Sequence, residues 1–375
     1  MLTNLTRTQI FSVLRIKMEF KKALDVKIDK FQMNDTSPLV VKGRDVCAVH
    51  NDTDSVYFSI IELKKRLMES GLSITNEEEY RSYFQKCEDV FQRFFDKILD
   101  IRAKQFHTVN KINFNRENIF KNMFCFAKKL YIGNIIDSEG SLYPLDHMKH
   151  KIMGVPIKKS TMPDFCKTAA EELAFKICDG IGKDEAQEYI YKVYDQFKSS
   201  DLNVISSVIG IKNYTKYTTI AMDKFRELYS ESAMNTTPFD MKYETLMDYY
   251  MDHGLILPTG LIFGAKISII YNYIVTKDRL KYNPIRNNSK LRYVYVKPSQ
   301  KIVAKDMDGK TSPIEAVAYL ESWPQEFNKY FEIDYETAFR KSFCQLFDTM
   351  FRIAGWLGPK EEINLERPTM FEFFS

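Results

Sequence analysis

The sequence has no Cys-x-x-Cys pair; its six cysteines, Cys47, Cys87, Cys125, Cys166, Cys178 and Cys344, are scattered along 375 residues. Neither a zinc ribbon nor a disulfide framework is indicated, and a reducing compartment is the simplest reading. His147 and His150 lie near Asp146 but lack the further ligands a metal needs, so this stretch reads as a polar loop. No long apolar run is present either. The most apolar stretch, Leu255 to Ala265, is too short to cross a bilayer and contains Pro258. Arg7, Arg15 and Lys17 interrupt the apolar positions at the N-terminus, which excludes a signal-peptide reading. A soluble, cytoplasmic protein with no membrane partner is expected. Internal repeats and low-complexity segments are absent. So is a strong net charge: 54 basic residues against 50 acidic ones leave +4, too little by itself to point to nucleic acid.

The charge is unevenly spread, however. Nine Lys or Arg fall between Lys277 and Lys305 against one acid, Asp278. Such a field suits a phosphate backbone, and suits a solvated basic loop equally well. The length allows two or three domains with sizeable cores. Helical spacing of Ile10, Leu14 and Met18 predicts a helix from about Thr6 to Asp29, closed by a polar stretch from Asn34 to Gly43. Two short strands, Val46 to Val49 and Val56 to Ile60, flank the turn Asn51-Asp52-Thr53-Asp54. Thr75 and Glu78 match a capping box for a second long helix. Its Tyr80, Phe84, Cys87, Phe91, Phe94, Phe95 and Ile98 recur at helical spacing and read as core. Strands with turn signals, notably Asp137-Ser138-Glu139-Gly140, run from Ile112 to Met153.

Past Gly154 helices dominate, over Pro163 to Cys178, Asp184 to Phe197 and Tyr335 to Phe351. A basic, strand-rich patch from Lys266 to Val303 interrupts them. The expected fold class is therefore α+β: an antiparallel sheet with packed helices to about residue 153, followed by a mostly α-helical region.

Two acids flanking Thr53 at the tip of a hairpin bring two carboxylates near one point. Hard divalent cations take oxygen ligands and use one or two protein carboxylates together with substrate phosphates. A pair of such ions stabilises the attacking and leaving oxygens of a phosphoryl transfer. An Asp-x-Asp turn is short, and by itself it is more often a turn without a ligand. Its context is more telling. Asp52-Thr53-Asp54-Ser55-Val56-Tyr57, set between an apolar strand and a β-branched and aromatic one, resembles motif C of the family B DNA polymerases. The family's usual Tyr-Gly before the first acid is replaced here by His50-Asn51.

Three further segments resemble the same family in the expected order. Lys128-Lys129-Leu130-Tyr131 is similar to its Lys-Lys-Arg-Tyr motif, with Leu130 in place of Arg. Lys151-Ile152-Met153-Gly154, followed by Lys158-Lys159-Ser160-Thr161 and Pro163, resembles the palm-to-thumb junction of the T-even bacteriophage enzymes. Basic side chains, hydroxyls and a helix start together suit phosphate. The apolar tail Thr369-Met370-Phe371-Glu372-Phe373-Phe374 resembles the sliding-clamp-binding tail of those enzymes. An exposed apolar peptide at a terminus usually marks a docking site.

The resemblance implies a palm portion over residues 1–153, a thumb over 154–365 and a clamp-binding tail over 366–375. It implies Asp54 as principal and Asp52 as supporting ligand of catalytic Mg2+, with Thr53 and Ser55 on the nucleotide. Lys128, Lys129 and Tyr131 would hold the primer–template, and Lys158, Lys159, Ser160 and Thr161 the duplex backbone. Met370, Phe371, Phe373 and Phe374 would anchor the clamp. Exonuclease, fingers and the other palm carboxylate are missing, since only about fifty residues precede the hairpin. A split polymerase is therefore expected, completed by a second chain that shares the two-metal site and binds dNTP, with a phage-infected cell as the setting; a truncated polymerase is the alternative. The competing reading is a non-catalytic, DNA-binding and clamp-associated subunit derived from a polymerase.

Overall fold

The computed structural model describes residues 13–20, 48–52, 55–59, 76–127, 129–232 and 243–365. The fold is α+β with antiparallel sheets. The chain divides into two compact units, one of residues 1–155, 172–186 and 353–356, the other of 156–171, 187–352 and 357–375.

In the first unit, strands β1 (Val13–Phe20), β2 (Ala48–Asp52), β3 (Ser55–Ser59), β4 (Ile112–Ala127), β5 (Leu130–Ser138), β6 (Ser141–Leu142) and β7 (Lys149–Met153) form one sheet. Its order is β2-β3-β1-β4-β5-β6, with β7 also paired to β5. Strand β1 corrects the helix expected over Thr6 to Asp29 at Val13–Phe20, and the rest of that span lies outside the described residues. Leu14, Ile16, Met18 and Phe20 alternate with Arg15, Lys17 and Glu19, which is the strand period. Residues four apart share a face at both periods, so the spacing of Ile10, Leu14 and Met18 does not discriminate between them.

Helix α1 (Glu77–Gln105) covers one face of this sheet. Its cap is Asn76, whose Oδ1 accepts from the Glu79 amide at 2.9 Å; this corrects the capping box read from Thr75, which lies outside the described residues. Asparagine is among the strongest N-cap residues, because its short side chain reaches an otherwise orphaned amide. Tyr83 and Phe84 are buried and pack with Phe91 and Phe95 against Ile119 and Ile136. The Phe95 and Phe114 rings are 4.7 Å apart. Burying one such ring fully stabilises by about 1.5–3 kcal/mol. Phe94, read as part of the same stripe, is 55% exposed.

The turn signal at Asp137 to Gly140 closes the β5–β6 hairpin. Ser138 pairs with Ser141, and Glu139 and Gly140 between them have φ of 52° and 90°, the two positive angles of a type I′ turn. Asp137 accepts from the Gly140 amide at 2.9 Å and also takes a guanidinium hydrogen bond from Arg116. Arg116 donates to Glu88 of α1 at 2.6 Å, tying helix to sheet. Burial works against the Arg116 cation, yet the two acids outweigh it and its pKa is raised.

Helices α2 (Asp164–Asp179) and α3 (Lys183–Ser199) follow, close to their expected limits. In the second unit Ile190, Val193 and Phe197 of α3 are buried, as their spacing predicts. Next come α4 (Leu202–Ile205), β8 (Ser207–Gly210), α5 (Tyr214–Ser232), α6 (Leu246–His253) and α7 (Phe263–Lys277). They are followed by β9 (Lys290–Tyr295), β10 (Ala304–Lys305), β11 (Thr311–Ser312), β12 (Ala316–Tyr319), α8 (Tyr335–Phe339), α9 (Gln345–Ile353) and α10 (Pro359–Glu362). Strands β8, β9 and β12 form an antiparallel sheet in the order β12-β9-β8.

Helix α7 corrects the first part of the strand-rich patch expected from Lys266. Its isoleucines and tyrosines favour strands by propensity, but Ile267 to Val275 are buried without interruption, and burial on nearly every side lets packing override propensity. Asn272 within it is fully engaged. It donates to Tyr214 Oη at 2.9 Å and to the Ile285 carbonyl at 3.0 Å, and accepts from the Ile285 amide at 2.8 Å. A π turn over Arg340–Cys344 joins α8 to α9, and the Phe339 and Phe343 rings stack at 4.8 Å. Among the described residues no helix is long and apolar enough to cross a membrane.

Candidate active-site hairpin and phosphate-binding segment

Strands β2 and β3 pair antiparallel, with Asp52 opposite Ser55. Asp52 thus closes one arm of the hairpin and Ser55 opens the other. Thr53 and Asp54 lie outside the described residues. The side chain of Ser55 is buried, and its Oγ has no hydrogen-bond partner among the described residues. A buried hydroxyl left unpaired costs about 1–3 kcal/mol.

Ser55 and Tyr57 have the same parity on β3, and Tyr57 is also buried. Its hydroxyl lies 3.1 Å from that of Tyr131, with the rings edge to face at 5.5 Å. Phe120, Met123 and Ile135 complete this cluster. The aromatic of the hairpin strand and the aromatic of the Lys-Lys-Leu-Tyr segment therefore meet, although 74 positions separate them. Only 2% of Tyr131 is exposed, so its hydroxyl is directed at Tyr57 and not at solvent. Tyr57 enters the sequence analysis only as the end of the hairpin motif, with no role of its own; the signal available was its place two residues after Ser55 on the same strand face.

Lys129 is exposed and occupies the turn into β5 with φ 63°, in the left-handed region. Gly154 faces it at the end of β7, where Tyr131 pairs with Met153. Gly154 has φ 65°, and a Cβ there would overlap the Lys129 carbonyl oxygen and stand 2.6 Å from Leu130 Cδ2. Only glycine meets both demands. The Lys-Lys-Leu-Tyr and Lys-Ile-Met-Gly segments are thus fitted to each other, and Leu130 occupies the space beside Gly154. Lys128 lies outside the described residues. His150 stacks on Phe175 at 3.7 Å. His147 is 82% exposed, 3.7 Å from Asp146, in keeping with a polar loop. Among the described residues no three of His, Cys, Asp and Glu converge on a point that holds a metal.

In the second unit, a 3-10 turn over Pro156–Lys158 leads to Lys159, Ser160 and Thr161, all exposed. Backbone bonds fix this segment: Lys159 N to Pro156 O at 3.0 Å, Met162 N to Lys159 O at 3.1 Å and Val208 N to Thr161 O at 3.3 Å. The segment runs into the start of α2. There Asp164 accepts from Lys167 at 2.8 Å, and that bond holds its carboxyl below the usual range.

The basic stretch from Lys277 to Lys305 is less free than its charge count implies. Lys277 lies over the rings of Tyr273 and Tyr330 at 5.6 and 5.7 Å. Arg292 donates to the Asn203 carbonyl at 2.6 Å, and Lys297 to Glu332 at 2.5 Å. The tail with Met370, Phe371, Phe373 and Phe374 lies outside the described residues.

Among models of protein families and curated protein sequences, none matches the chain.

Proposed function

We propose that this chain is the C-terminal part of a family B DNA-directed DNA polymerase, with a palm portion, a thumb and a clamp-binding tail. It would act together with a second polypeptide that supplies exonuclease, fingers and the other palm carboxylate. The observation that carries the proposal is the convergence of three motif segments in one antiparallel sheet. Strand β3 bears the motif C resemblance, β5 the Lys-Lys-Leu-Tyr resemblance and β7 the Lys-Ile-Met-Gly resemblance. They are joined through Tyr57–Tyr131 and Gly154–Lys129.

The donor set at the hairpin fits magnesium. Asp52 and Asp54 bring only carboxylate oxygens, with one residue between them in the sequence. Asp54, supported by Asp52, would hold the ion, which when bound supplies charge stabilisation for nucleotidyl transfer from a dNTP to the primer 3′-hydroxyl. Thr53 and Ser55 are the residues assigned to the incoming nucleotide. Lys128 and Lys129 contact the primer–template, and Tyr131 anchors the turn at Lys129 to the hairpin strand through Tyr57. Lys158, Lys159, Ser160 and Thr161 contact the duplex backbone without reading sequence. Met370, Phe371, Phe373 and Phe374 dock on the sliding clamp.

One observation favours a second reading, a non-catalytic DNA-binding and clamp-associated subunit derived from a polymerase: Tyr131 is buried and not presented to a ligand. Primer extension with magnesium and dNTPs separates the two. The chain is assayed alone and co-purified with a candidate exonuclease–fingers chain. Synthesis by the mixture alone supports the polymerase; duplex binding by a stable complex without synthesis supports the subunit.

A further inference from the structure

The second unit contains a cavity of about 390 Å³ between the segment after the 3-10 turn, strand β9 and the π turn before α9. Its chemistry is one-sided. Of the twelve residues that line it, two are lysines, Lys159 and Lys341, and none is acidic. Thr161, Ser207 and Ser342 add hydroxyls, and Gln345 adds an amide. The aromatic wall comes from β9, where Tyr293 and Tyr295 share one face with ring centroids 5.8 Å apart. The neighbours of these rings across the sheet are small. Tyr293 stands opposite Ala318 and Ser207, and Tyr295 opposite Ala316. Phe263 packs edge to face on Tyr293 at 5.1 Å, and both tyrosines still line the cavity. Lys341 Nζ lies 4.3 Å from the Tyr295 ring centroid, which holds an ammonium at the wall of the cavity instead of leaving it to sweep through solvent.

Cations and hydroxyls without a competing carboxylate select an anion, and an aromatic wall selects a flat apolar group beside it. Stacking on tyrosine accepts any base, because every base has a π face. A volume of this size lies in the range of small-molecule sites, about 300–1,000 Å³. A base inside a duplex is stacked on its neighbours and cannot enter such a recess. We propose that this cavity binds one unpaired nucleotide, its base against Tyr293 and Tyr295 and its phosphate at Lys159 and Lys341. The nucleotide belongs to a single strand or is free in solution. The inference deepens the DNA-binding role proposed above for Lys159 and Thr161 and rests on that reading for the single-strand source, but not for the chemistry of the cavity.

The test uses the full chain, with fluorescence anisotropy of labelled oligothymidylate, a blunt duplex of the same length, and competition by thymidine monophosphate. Tyr293→Leu keeps much of the ring's volume, and Lys341→Gln alters an exposed side chain, so a folding failure in the first leaves the second informative. The expected result is tighter binding of the single strand than of the duplex, competition by the mononucleotide, and a loss on the order of ten-fold in single-strand affinity for either variant. If both DNA forms bind equally and both variants weaken them equally, the cavity is only a backbone contact. The inference then falls while the polymerase reading stands. If no DNA binds but thymidine monophosphate does, and the variants abolish it, the inference holds for a free nucleotide and the DNA-binding reading fails. If nothing binds, the inference is overturned.

Discussion

The hydroxyls of Tyr57 and Tyr131 lie 3.1 Å apart in a buried cluster with Phe120, and this contact joins the acidic hairpin to the strand that follows Lys129. Tyr57→Phe and Tyr131→Phe should be coupled. A double-mutant cycle by urea unfolding is expected to give an interaction energy of about 0.5–1.5 kcal/mol, the net worth of a neutral hydrogen bond. Additive single effects would mean that the two hydroxyls do not bond to each other.

Gly154 combines a left-handed backbone with an overlap between a would-be Cβ and the Lys129 carbonyl. Gly154→Ala should cost about 2–5 kcal/mol, the sum of conformational strain and overpacking. Gly140, with φ 90° and open space around its Cβ position, carries only the conformational part, about 1–2 kcal/mol. Comparing the two alanine variants by thermal unfolding separates overlap from backbone strain.

Arg116 is held between Glu88 and Asp137, with side-chain exposures of 10% for Arg116 and 7% for Asp137. Asp137→Asn removes one of its two carboxylate partners and leaves Glu88 in place, so it should destabilise by about 1.5–3 kcal/mol, the worth of a hydrogen bond to a charged group. Arg116→Met, which takes the cation from between two acids, should cost more than Asp137→Asn. Chemical denaturation of the three proteins decides this.

Burial pushes the Cys125 thiol up to about 11 and the Cys344 thiol up to about 12, and raises Cys166 and Cys178 further still. All four should resist a thiol reagent at pH 8 in the native protein and react on unfolding, as peptide mapping would show. The sign for stability follows from linkage. These thiols stay protonated longer when folded, so their contribution is intact below their ordinary value of 9.0 and is lost as pH rises from there toward about 11 for Cys125.

Much of the fold is legible in the sequence. Asp, Thr, Gly and Asn at turns, and apolar residues at helical spacing in α3, leave few alternatives. Strand β1 was not readable, because Leu14 and Met18 share a face in a helix and in a strand alike. Nor was α7, where Ile269, Ile270, Tyr271 and Ile274 all lie inside, so no polar face marks the period. At the candidate site, the acidic hairpin was visible as local sequence. The contacts of Tyr57 with Tyr131 and of Gly154 with Lys129 were not, since both depend on strand register across a sheet and nothing local encodes it.

The most direct test of the central claim is single-turnover incorporation of one dNTP on a primed template by the two-chain complex, comparing the wild-type chain with Asp54→Asn. The account predicts incorporation by the wild type, a loss of at least about a hundred-fold in the variant, and unchanged duplex binding in both. Equal incorporation by wild type and variant would contradict it, because the hairpin would then have no part in the chemistry.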